Sequence, residues 1–227
     1  IMRVVNIGAS IKTSQNSIAL AKKYPHIYAA VGVHPSETEE LDEEKFEQLS
    51  HLADEEKVVA IGEIGLDYYW PEPSKEIQKK WFERQMELAR EKKLPIVIHS
   101  RDAAKDTLDM MVAKRAGEIG GVVHCYSYGV ELAREYLKMG FFFGIGGVST
   151  FKNAKKLKEV IAYLPMESIV LETDAPYLSP VPNRGKRNSS LNIPYIVEEI
   201  ARIKGIQVEE VVQRTFENAH RLYPKLG

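Results

Sequence analysis

The feature that most narrows the folds open to this chain is a rhythm. Short apolar runs of strand length alternate with longer amphipathic helical runs from one end to the other. Successive β-α units look like this, and they lead to a parallel sheet covered by helices. Strands are expected at residues 3–9, 27–33, 58–66, 95–100, 121–126, 141–146 and 168–173. Between them, one-sided apolar stripes mark helices: Ile77, Trp81, Met86, Leu88 and Ala89; Leu157, Val160 and Ile161; Ile193, Ile196, Val197 and Ile200. Ser36 or Thr38, ahead of an acidic first turn, is expected to start a helix that reaches about Ala53.

About seven such units are present, against the eight that close a parallel barrel. The expected fold is therefore α/β, a TIM-type (β/α)8 barrel whose first β-α unit is missing, with residues 1–227 a single, N-terminally incomplete hydrolase domain. An open doubly wound sheet would usually carry a Gly-rich first turn, and none is visible. A barrel gathers its chemistry at the C-terminal ends of its strands. Polar residues fall there: His34 after YAAVGV, Glu63 and Asp67 in GEIGLD, His99 in PIVIHSR, His124 in VVHCYS and Asp174 in IVLETDAP.

Glu63 is the least expected of these, because it stands where an ordinary core strand would carry Val or Leu. An ionised carboxylate in an apolar interior must be protonated, paired or bound to a cation. Strand alternation puts Glu63 and Asp67 on one face, Val97, His99 and Arg101 on one face, Val122, His124 and Tyr126 on one face, and Glu172 with Asp174. His99, His124, Glu63 and Asp174 are thus expected to converge at the barrel mouth. Two imidazoles and two carboxylates suit Zn, Mn or Fe, with Mg where carboxylate and water dominate.

Composition excludes some partners. A formal charge of -1 leaves no global field for nucleic acid, so any such partner has to be held by a local basic patch. The lone cysteine, Cys125, rules out an internal disulfide and points to a reducing, cytoplasmic setting. Alternation turns it away from His124, as a small buried hydrophobe. No apolar run is long enough to span a bilayer, and neither a signal peptide nor an obligate protein partner is evident. His26, His51 and His220 sit in or beside helical stretches and read as surface or packing residues.

The stretches GVHP (32–35), GEIGLDYYW (62–70), PIVIHSRDA (95–103), HCYS (124–127), LETDAPYL (171–178) and RGKRN (184–188) together resemble the TatD-related metal-dependent deoxyribonucleases, a branch of the amidohydrolase barrels. The resemblance covers essentially the whole chain. It implies that Glu63 bridges two divalent cations, that His99 and His124 hold one of them, and that Asp174 helps to hold the other. It also implies a first strand with a His-x-His pair, and this chain begins one β-α unit later. Either the protein continues upstream of Ile1, or a shortened form keeps one metal position nearly intact.

Metal-assisted hydrolysis of a DNA phosphodiester follows, with up to two divalent ions per chain (Mg2+, Mn2+ or Zn2+) activating water. The resemblance makes Asp174 the base that accepts the water proton, beside Glu63 and His34 as catalytic residues. Arg101 and Asp67 would meet the substrate, and Glu172 would orient a ligand. The loop at residues 179–190 adds Arg184, Lys186 and Asn188 as phosphate contacts, with Arg187 close by; barrels commonly bind phosphate after their last strands. Tyr68 and Tyr69 follow Asp67 where an aromatic could stack on a base, and packing accounts for them equally well. A narrow mouth suits single-stranded ends, hence an exonuclease. The alternatives are a metal-dependent hydrolase of another small ester or amide, or a catalytically impaired metal or nucleic-acid binder.

Overall fold

All seven apolar runs become strands among the described residues, 1–226, of the computed structural model. Its residues cluster into two units, Ile1–Val122 with the C-terminal residues from Leu222, and Val123–Arg221.

In the first unit the order is β1 (Val4–Ile7), α1 (Ile11–Lys23), β2 (Ile27–Val31), a 3-10 turn (Pro35–Glu40), α2 (Glu43–Leu52), β3 (Val58–Asp67), α3 (Lys75–Lys92), β4 (Ile96–Arg101), α4 (Ala104–Ala113) and the start of β5 (Gly121–Val123). β1, β2, β3 and β4 pair in that order, all parallel, and the Ile96 N–H donates to the Gly120 carbonyl just ahead of β5. Parallel strands covered on both faces are apolar almost throughout; Ala30, Val31, Ala60, Ile61, Ile96 and Ile98 are fully buried. The stripe on α3 seats Trp81, Phe82, Met86 and Ala89 in this core.

The second unit begins inside β5 and continues through α5 (Val130–Lys138), β6 (Phe142–Ile145), α6 (Lys155–Tyr163), β7 (Ile169–Leu171), α7 (Ile193–Lys204) and α8 (Val208–Leu222). The Tyr126 N–H donates to the Gly144 carbonyl of β6, and β6 pairs in parallel with β7. Leu157, Val160 and Ile161 of α6, and Ile196, Val197 and Ile200 of α7, are the buried stripes expected. Among the described residues no helix is long and apolar enough to cross a membrane.

Two local expectations need correction. The helix expected to run from Ser36 or Thr38 to Ala53 is two elements. His34 caps the 3-10 turn with Pro35 in its first position, Leu41 is extended, and the Asp42 carboxylate accepts the Lys45 N–H at 2.8 Å to start α2 afresh. β5 and β7 stop at Val123 and Leu171, short of the runs assigned to them. Beyond each, the backbone enters the left-handed region, at Cys125 (φ 44°) and at Asp174 (φ 55°), and a ladder cannot continue through that conformation. Cys125 is accordingly half-buried and not a fully buried apolar residue.

Candidate metal-binding site

In the first unit the site is built around His99. Its Nδ1 lies 2.8 Å from Glu63 Oε1 and its Nε2 lies 3.0 Å from Asp67 Oδ2, so one imidazole is held between two carboxylates. The pairing explains how. Gly65 is opposite His99 and Asp67 opposite Arg101, whereas Ile61 pairs with Ile96 and Ile64 with Ile98. Two residues, Gly62 and Glu63, therefore face one on β4, and this bulge re-aims Glu63 while the acids keep a common face. Gly65 has φ 144°, and a Cβ there would meet the His99 carbonyl oxygen at 1.9 Å. Only glycine lets the two strands approach so closely beside the imidazole.

His34 completes the cluster. Its ring packs edge-on against that of His99, centroids 4.2 Å apart, and Nδ1 accepts the Ser36 N–H at 3.2 Å. That acceptor role puts the proton of a neutral His34 ring on Nε2. His34, Glu63 and His99 each offer one ligand atom within 4.8 Å of the others. The Glu63 oxygen and the His99 nitrogen are donors suited to a divalent ion of the zinc or manganese type, with the His34 Nε2–H left as a hydrogen-bond donor beside them.

The same two carboxylates govern the proton on the His99 ring. Burial alone pushes the pKa of His99 down, but the hydrogen bonds to Asp67 and Glu63 and their charges outweigh it, and the ring holds its proton above the ordinary histidine value. For Asp67, burial works upward and is overcome by the hydrogen bonds from His99 and the Tyr69 N–H, which keep the carboxyl below its usual range. The pair is arranged for positive charge. Asp67 is only 4% exposed, with Oδ2 on His99 and Oδ1 accepting the Tyr69 N–H at 3.0 Å. That setting corrects the substrate contact expected of Asp67: the carboxylate faces the back of the imidazole.

In the second unit His124 occupies the same kind of position. Nδ1 lies 2.6 Å from Glu172 Oε2 and Nε2 3.3 Å from Asp174 Oδ1. Glu172 Oε2 also accepts the Cys125 N–H at 3.0 Å. Its other oxygen, Oε1, is buried with no hydrogen-bond partner. Room for this carboxylate comes from Gly144 and Gly146, where added Cβ atoms would lie 2.1 and 3.1 Å from its oxygens. A histidine whose Nδ1–H is taken by a carboxylate presents its Nε2 lone pair outward, toward Asp174, and this is the usual arrangement behind a metal-bound imidazole.

Of the remaining expected contacts, Arg101 is exposed, its guanidinium carbon 3.7 Å from the Tyr69 ring centroid. Arg184, Lys186 and Arg187 are exposed around Gly185, with Arg184 lying 4.3 Å over the Phe151 ring. Asn188 does not fit the phosphate contact assigned to it. It is 2% exposed, donates to the carbonyls of Thr173 and Tyr177, and accepts from the Ser189 N–H and from Asn192. All its polar capacity goes into holding the loop.

Two supporting residues lie outside the expected set. Gln78 and Gln85, both on α3, are 1% and 0% exposed. Gln85 exchanges hydrogen bonds with the backbone of Val33, next to His34, and Gln78 does the same for Asp67. Their signal is visible in retrospect. They sit two turns apart on the stripe that carries Trp81 and Phe82, where a buried amide has to find backbone partners.

Comparison with known proteins extends over this same frame. The family model described as TatD related DNase matches residues 1–224. An uncharacterized metal-dependent hydrolase, YabD of Bacillus subtilis, is 43% identical over 221 residues, 97% of this chain and 87% of that protein. Another, YcfH of Escherichia coli K12, is 39% identical over 198 residues, 87% of this chain and 74% of that protein. The crystal structure of YJJV, a TatD homolog from Escherichia coli, matches with a TM-score of 0.92 at 29% identity, covering 99% of this chain and 87% of that one. The fold is therefore the TIM-like α/β fold of the TatD structures. The chain belongs to the TatD-related DNase family and is a metal-dependent hydrolase.

Proposed function

We propose that this protein is a divalent-metal-dependent deoxyribonuclease acting on single-stranded DNA ends, with up to two ions, Mg2+, Mn2+ or Zn2+, per chain. The observation that carries the reading is the imidazole of His99 held between Glu63 and Asp67, with His34 against it. Glu63 and His99 would hold one ion, and His124 with Asp174 supplies donors for another. When bound, such an ion supplies Lewis acidity for activating water and neutralising phosphate charge.

The chain's own residues do the rest. Asp67 positions His99 from behind, and Glu172 fixes the tautomer and direction of His124. Asp174, whose side chain is 34% exposed, accepts the water proton in this reading. His34, with its proton on Nε2, is a donor for a phosphate or leaving oxygen. Arg101, Arg184 and Lys186 supply exposed positive charge for phosphates. A cytoplasmic location belongs to the same proposal, in keeping with the single cysteine.

The test is incubation of end-labelled single-stranded and duplex DNA with each of the three ions and with a chelator. Stepwise shortening of the single strand, abolished by chelation, is the expected result. Cleavage of a small ester or amide with no phosphodiester hydrolysis under any ion would overturn it.

A further inference from the structure

Beyond the acid–imidazole cluster, the end of β3 leads into two exposed aromatic rings that the chemistry above does not use. Tyr69 and Trp70 are consecutive, 51% and 57% exposed, and packed edge to face with centroids 4.8 Å apart. The protein's other tryptophan, Trp81, is 2% exposed. The guanidinium of Arg101 stacks on the Tyr69 ring at 3.7 Å. We propose that Tyr69, Trp70 and Arg101 form a stacking platform for an unpaired nucleobase of a single-stranded nucleic acid.

Three observations support that occupant. The platform is tied to the site by one carboxylate: Asp67 Oδ1 accepts the Tyr69 N–H while Asp67 Oδ2 faces His99 Nε2. Arg101 is the register partner of Asp67 and lies two residues beyond His99 on β4, so the platform follows directly on the cluster. The chemistry is also mixed in the right way. A guanidinium over an aromatic ring keeps N–H groups for a phosphate while the exposed indole offers an apolar face to a base, and alternating phosphates and bases are what a single strand presents. A duplex hides its base faces in the stack and cannot use such a platform. Tyr68, although adjacent, is engaged otherwise: its hydroxyl donates to Asp106 and Lys75 lies over its ring.

This inference rests on the nuclease reading for its substrate class, and the experiment separates the two. Intrinsic tryptophan fluorescence of the metal-loaded protein is titrated with a hydrolysis-resistant phosphorothioate oligothymidylate and with an abasic strand of equal length and charge. The oligothymidylate is expected to quench the signal and the abasic strand is not. Trp70→Ala should weaken oligothymidylate binding by about 5- to 150-fold, the range for removal of one base–aromatic stack, with abasic binding unchanged and with Trp70→Phe restoring most of the affinity. Equal binding of both strands, or an equal weakening for both in Trp70→Ala, overturns the platform. If the wild type meanwhile degrades natural single strands, the nuclease reading survives alone. Absence of both binding and hydrolysis with every ion removes the two together.

Discussion

Replacing Glu172 by Gln separates charge from shape in the second unit. Oε2 takes hydrogen bonds from His124 Nδ1 at 2.6 Å and from the Cys125 N–H at 3.0 Å, and a glutamine oxygen can accept both. The amide NH2 then falls where Oε1 is buried without a partner. The substitution thus removes the negative charge behind His124 and puts an unmet NH2 group, with two N–H donors, in place of an unmet oxygen, without changing volume. Loss of such a carboxylate support costs about 10- to 100-fold in metal affinity, or about 1.4–2.8 kcal/mol. The unmet NH2 group adds about 1–3 kcal/mol of destabilisation, and thermal melting reads that separately. Competition against a chromogenic chelator with Mn2+ or Zn2+ gives the affinity. A folded Glu172→Gln protein that binds both ions as tightly as the wild type would refute the argument that Glu172 works through His124.

Two further outcomes follow from the second unit. Converting Arg184, Lys186 and Arg187 together to Ala should weaken single-strand binding and flatten its salt dependence by about 0.7 units of slope for each phosphate that is no longer neutralised; an unchanged slope would make the loop an ordinary solvated one. Glu199 takes hydrogen bonds from Arg202 and Lys158, and the Arg202 bond, with the Lys158 bond behind it, overcomes burial and holds its carboxyl below the usual range. A depressed carboxylate contributes stability above its unfolded value of 4.5, lost as pH falls through the folded pKa. Glu199→Gln should therefore lower stability near neutrality and reduce its dependence on pH below 4.5, as read by chemical denaturation across the acid range.

Much of the fold was legible because its signal is periodic. The strand Val58–Asp67 is one continuous buried run whose bounds lie close to those expected, and the stripe Leu157, Val160 and Ile161 repeats on the helical period. What alternation could not convey was local departure from it. The bulge at Gly62 and Glu63 is set by pairing with β4, and the left-handed turns fall at Cys125, whose N–H goes to the Glu172 carboxylate, and at Asp174. Within the site, the strand-end positions of Glu63, His99, His124 and Asp174 showed in the sequence. The roles of Asp67 and Asn188 did not, since a polar residue at a strand end looks the same in sequence whether it faces substrate or clamps its neighbours. Gln78 and Gln85 escaped notice for the opposite reason: an amide on an apolar stripe carries no mark of the backbone it will hold.

Glu63 as a metal ligand is the point on which the proposed chemistry turns. Metal content per chain, measured after loading with Mn2+ or Zn2+ and exhaustive desalting, tests it directly in wild type and Glu63→Gln. The variant is expected to lose at least one ion per chain, and single-strand hydrolysis should fall by about 100-fold or more, because a bound ion contributes several kcal/mol to the transition state. An undiminished ion count and rate in folded Glu63→Gln would contradict that role.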